Sequence, residues 1–78
     1  MNLQDAIRTR IQELMNAQQL TVSELSRRAG LRQSTVNSII KGDVKTPTVH
    51  STHLIAKAMG ISLHQFFLSP HFEHLENE

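Results

Sequence analysis

An all-α domain of five helices is what this chain predicts, on three observations. Apolar residues recur at helical spacing along most of its length, and no stretch alternates with the period of two that a strand requires. Helix-stopping glycines and prolines punctuate the pattern at Gly30, Gly42, Pro47, Gly60 and Pro70. Leu3, Ile7, Ile11 and Leu14 make an amphipathic first helix from about residue 3 to 17, followed by a polar break from Asn16 to Gln19. Thr21 to Ala29 is the second helix. Its start carries the spacing of a capping box, with the Thr21 hydroxyl accepting from the Glu24 amide and the Glu24 carboxylate reaching back. Leu20 and Leu25 stand where a hydrophobic staple needs them, and Gly30 suits the left-handed stop.

The third helix runs from Gln33 to Lys41, with Val36, Ile39 and Ile40 on one buried face. Arg32, Gln33, Ser34, Asn37, Ser38 and Lys41 are left for the opposite face and the helix start, and none of them is acidic. After Gly42 the segment DVKTP is a loop. A fourth helix begins between Thr48 and Ser51 and stops at Gly60, with Val49, Ile55 and Met59 as its expected core positions. Ser62 caps a short fifth helix carrying Leu63, Phe66 and Phe67. Beyond Pro70, HFEHLENE is expected either to fray or to form one amphipathic turn.

Seventy-eight residues make one domain with a thin core, expected to span 1–69 and to be followed by an acidic tail over 70–78. The absence of cysteine excludes a disulfide framework, a zinc–thiolate site and thiol catalysis, and fits a reducing, cytoplasmic location. Apolar runs such as Phe66 to Leu68 fall far short of a membrane span, and an amino terminus with Asp5 does not read as a signal peptide. The net charge of +1 conceals an asymmetry. Residues 1–68 hold all eight Lys and Arg against four acids, whereas 69–78 hold three glutamates and no Lys or Arg. A cationic body of net +4 beside a segment of −3 is consistent with a polyanionic partner.

Catalysis is not expected, since no nucleophile–base pair, phosphate-cradling glycine loop or convergent carboxylates can be assembled. The pairs His50/His53 and His71/His74 have a spacing that could share a cation, yet a stable site needs further ligands. Surface histidines explain them more simply, so no metal and no cofactor is expected.

The stretch TVSELSRRAGLRQSTVNSIIK resembles the helix-turn-helix of phage-repressor and Cro-like (XRE-type) DNA-binding proteins. Ser26, Gly30, Val36 and Ile39 match the family's small residue, turn glycine and two aliphatic residues three apart. The resemblance extends from about Ile7 to Phe67, through IAKAMGIS and the phenylalanine doublet. It implies a compact lambda-repressor-like domain that binds double-stranded DNA, with Gln33, Ser34, Asn37 and Ser38 at base-contacting positions.

The chemistry of those side chains agrees. The major groove displays a distinct donor–acceptor pattern for each base pair, and Gln33 or Asn37 can satisfy adenine with an amide while Arg32 can grip guanine or phosphate. Thr21, Lys41, Lys45, Thr46 and Thr48 are the expected phosphate contacts, which position the protein without reading sequence. Val22 stands where the family commonly has glutamine, Arg32 where it has a capping serine or threonine, and Thr52 where it has an aliphatic residue. The last suggests a looser core or a nearby interface.

A homodimer on a pseudo-palindromic operator is expected, because two reading helices roughly 34 Å apart compensate for the few contacts of one. Its surface is expected among the end of the fourth helix, the 60–63 link, the Phe66–Phe67 helix and the tail. Repression by promoter occupancy is the simplest action. The alternative is an antitoxin-type module whose tail, through Phe72 and Leu75, holds a partner protein while the body binds the operator.

Overall fold

The computed structural model describes residues 1–43 and 46–76; Val44, Lys45, Asn77 and Glu78 lie outside the described residues. Helices α1 (Leu3–Gln18), α2 (Val22–Ala29), α3 (Gln33–Lys41), α4 (Val49–Ala58) and α5 (Leu63–Phe67) follow in order, and a 3-10 turn spans Pro70–Phe72. No strand occurs among the described residues.

Local chemistry accounts for most of the helix ends. Asn2, Thr21, Thr48 and Ser62 each accept a hydrogen bond from the amide three residues on, starting α1, α2, α4 and α5. At α2 and α5 the partner side chain reaches back, so Thr21–Glu24 and Ser62–Gln65 are complete capping boxes. The carboxyl ends of α1 to α4 close with long bonds: Leu20 N–H to Met15 O, Leu31 to Ser26, Asp43 to Ser38 and Ile61 to Ala56. In α2 and α3 the residue inside that bond is a left-handed glycine, whereas α1 uses Gln19 at φ 56. A side chain in that conformation is strained, so this stop carries no glycine and shows in the sequence only as a polar break.

The core is sealed around Phe66, Ile11, Leu25, Ile55 and Val36, each fully buried. Burial of one such side chain is worth about 1.5–3 kcal/mol. Leu20, Leu31 and Ile61, which follow the helix stops, pack against this cluster and fix the angles at which the chain turns. Ser26 is buried in the middle of α2 and donates to Val22 O at 2.7 Å, so the small residue lets α2 lie close to its neighbours.

Three expectations change. Val49 is 72% exposed instead of buried, because it occupies the first turn of α4 ahead of the packed stripe of Thr52, Ile55, Ala56 and Met59. Leu3 likewise begins its helix beyond the core and is exposed. Thr52 does not loosen the core: it is buried, and its hydroxyl donates to Thr48 O at 2.9 Å.

α1 also acts as a polar brace. Gln4 Nε2 donates to Gly42 O at 3.0 Å, beyond the end of α3, and Gln18 Nε2 donates to Met59 O at 2.8 Å, beyond the end of α4. Arg10 holds the end of α5 through Nε to Phe66 O at 2.8 Å and Nη2 to Gln65 O at 2.9 Å. Three helix ends are thus capped from one helix.

The segment after α5 turns back onto α1. Phe72 packs against the core, with its ring centroid 4.8 Å from that of Phe67 and edge-on to it. His71 Nε2 lies 2.8 Å from Glu13 Oε1, and Glu76 is 3.2 Å from the Met1 ammonium.

Candidate nucleic-acid interface

α2 and α3 form a helix-turn-helix whose second member shows two chemically opposite sides. Val36 and Ile39 are buried against the core, with Ile40 half-buried beside them. The spacing of Gln33 with Asn37, and of Ser34 with Ser38, is four residues, so these side chains and Lys41 share one stripe. Arg32, Gln33, Ser34 and Lys41 are exposed, and Asn37 and Ser38 are half-buried. The residues expected to touch bases are therefore assembled on one accessible surface.

The start of α3 differs from every other α-helix start among the described residues. Arg32 occupies the cap position in extended conformation, φ −66 and ψ 142, and makes no side-chain capping bond. No acidic residue stands in the first turn. The Thr35 and Val36 N–H groups bond to Arg32 O, so the helix geometry leaves the Gln33 and Ser34 N–H groups facing outward. An open amide pair, the positive end of the helix dipole and a guanidinium form a local environment suited to an anion.

The start of α2 is organised otherwise. Thr21 donates both its backbone N–H, at 3.1 Å, and its hydroxyl, at 3.0 Å, to Glu24 Oε1, and the hydroxyl accepts from the Glu24 N–H at 3.1 Å. These bonds, with Arg28 and Arg27 nearby, hold the Glu24 carboxyl below its ordinary pKa. Thr21 is exposed but its polar groups are committed to the cap, so the outward donors at this end are the amides of Val22 and Ser23. Ser23 was not singled out from sequence, although its place two residues after the cap is the signal that finds it. Val22 carries no polar group and packs partly against the core.

Beyond α3, Thr46 and Thr48 are exposed, the Thr48 hydroxyl accepting from Ser51 N–H and donating to Ser51 Oγ. Lys45, the remaining expected phosphate contact, lies outside the described residues. Among the described residues no group of three His, Cys, Asp or Glu could hold a metal ion, and no helix is long and apolar enough to cross a membrane.

A helix-turn-helix family model matches residues 11–66, which includes both helices of the motif and most of the core. The chain belongs to the phage-repressor and Cro-like (XRE-type) helix-turn-helix family. It is similar to a solved structure titled "Crystal structure of the prophage Lp1 protein 11", at 33% identity and a TM-score of 0.82, covering 96% of this chain and 100% of that one. No curated protein sequence matches. As a helix-turn-helix protein of this family it is a DNA-binding transcription regulator acting on double-stranded DNA.

Proposed function

We propose that the chain acts as a sequence-specific repressor, binding a pseudo-palindromic operator as a homodimer with α3 of each protomer in the major groove. The observation that carries this reading is the uncapped, acid-free start of α3 beside an exposed stripe of amides and hydroxyls. Gln33, Ser34, Asn37 and Ser38 read base edges in this arrangement, and Arg32 contacts guanine or the phosphate at the groove edge. The α2 start at Thr21, together with Lys41, Lys45, Thr46 and Thr48, sets the register along the backbone.

Dimerisation is supported by the apolar surface at the end of α5. Leu68 is 63% exposed, Phe67 is partly exposed, and both line a shallow groove with Pro70 and Phe72. The antitoxin alternative requires Phe72 and Leu75 to share a free face. Phe72 packs against the core and only Leu75 is exposed, which favours the simple regulator.

Selection of bound sequences from a random DNA pool at two salt concentrations tests the reading. Recovery of two related half-sites about one helical turn apart is the expected result. Recovery of no common sequence at either salt concentration would refute it.

A further inference from the structure

A second cationic surface lies away from the reading stripe. Arg27 and Arg28 in the last turn of α2 and Lys57 in the last turn of α4 border a groove whose floor is Leu54, Ala58 and Gly30. All three cations are exposed, and among the described residues none makes an ion pair. A side chain placed at Gly30 would meet nothing within 4 Å, so the groove is open on that side.

The chain carries a segment of matching character elsewhere. Glu73 and Glu76 are exposed and flank Leu75, itself 38% exposed, in a stretch without Lys or Arg. Glu76 is held to Met1 by an ion pair whose glutamate side chain is 70% exposed, worth little at a surface, and by its backbone N–H, which donates to Met1 O at 3.3 Å.

Glu76, the last residue of that stretch, and the groove sit toward opposite ends of α1, whereas Glu73 follows closely on His71, which meets Glu13 farther along the helix. Glu76 meets Met1 just before the helix starts, while the groove residues Lys57 and Ala58 adjoin Met59, which Gln18 holds at the helix's last residue. The 16 residues of α1 separate Glu76 from the groove end by roughly 24 Å at 1.5 Å per residue. Glu76 is thus held away from the groove of its own copy, and the stretch is placed to meet the groove of a neighbour.

We infer that the 73–76 stretch of one copy docks in the Arg27–Arg28–Lys57 groove of the next, with Leu75 on the Leu54–Ala58 floor, so that copies associate head to tail. Bare phosphate fits the groove less well than an acidic peptide that carries an apolar side chain, because Leu54 and Ala58 make part of its lining apolar. The contact is heterologous, unlike the two-fold contact of a dimer, and so it extends to further copies. It stands independently of the operator-binding reading.

Sedimentation velocity of the full chain without DNA, across a concentration series at low and high salt, tests the inference. The expected result is assembly beyond the dimer that grows with concentration and recedes with salt. Charge reversal of the groove, Arg27→Glu with Arg28→Glu, or of the stretch, Glu73→Lys with Glu76→Lys, is expected to weaken it about tenfold or more, and combining the two sets to restore it. Lys57→Glu, on a different helix, repeats the groove test if the α2 variant does not fold. Assembly unaffected by either reversal, or a combined variant no better than the single sets, would overturn the inference. So would a groove variant that loses affinity for all DNA sequences with assembly unchanged.

Discussion

Replacing Arg32 by aspartate is expected to move folding stability and DNA affinity in opposite directions. Arg32 already has the extended backbone of a helix cap but contributes no capping bond. Aspartate there can accept from an amide of the first turn, worth about 0.5–2 kcal/mol, and its charge faces the positive end of the α3 dipole for a further ~0.3–1 kcal/mol. A net gain of about 1 kcal/mol raises Tm by roughly 4–8 °C in a domain of this size. On DNA the same change removes a charged donor worth about 1.5–3 kcal/mol and places a carboxylate against phosphate, so affinity falls by ~10- to 100-fold or more. Thermal unfolding followed by circular dichroism measures the first effect, and fluorescence anisotropy with the selected operator measures the second. Arg32→Ser separates them, since it supplies a cap without negative charge and is expected to give the capping part of the stability gain with a smaller loss of affinity. A more stable Arg32→Asp protein with unchanged operator affinity would show that the start of α3 does not lie at the DNA. An unchanged Tm in both variants would refute the capping argument.

Gln33→Ala is expected to lose about 1–3 kcal/mol of discrimination at one position in each half-site, and equal discrimination by wild type and variant across an operator library would count against the assignment. Lys45→Ala should weaken binding to all sequences alike and reduce the slope of log affinity against log salt by about one, so an unaltered slope would remove it from the phosphate contacts. Arg10→Met is expected to cost about 1.5–3 kcal/mol in urea unfolding, because the Phe66 and Gln65 carbonyls lose a charged partner that holds a helix of five residues. A change within experimental error would mean that α5 is secured by Phe66 alone. Because the Glu24 pKa is lowered by the Thr21 hydrogen bonds and then by Arg28 and Arg27, its stabilising contribution is present above the ordinary value of 4.5 and is lost as pH falls through the lowered one. The stability gap between wild type and Glu24→Gln should therefore close on acidification, and a constant gap would disprove the linkage.

Features legible in the sequence are those whose cause lies within a few residues. Thr21 and Glu24 are three apart, and Ser62 is followed three residues later by Gln65, so each capping box is written in adjacent turns of one helix. Gly30 and Gly42 mark stops for the same local reason, and Val36 and Ile39 declare the inner face of α3 by spacing alone. The outward stripe of the candidate site follows from that inner face by elimination. Val49 shows where such reasoning fails, because helical spacing gives a residue's angular position and says nothing about how far the core extends along the axis.

From its sequence alone, the chain determined its five helices, the caps at Thr21 and Ser62, the glycine stops, and a polar, acid-free stripe on the third. Tertiary structure alone decided that α1 caps three other helices, that Thr52 returns its hydroxyl to its own helix inside the core, and that Phe72 folds back beside Phe67. It also placed a basic groove and Glu76 toward opposite ends of one helix. The physical reason is reach: a cap or an amphipathic face is settled by neighbours within one or two turns. A carbonyl bonded to a side chain 38 to 56 residues away leaves no periodic trace in the sequence.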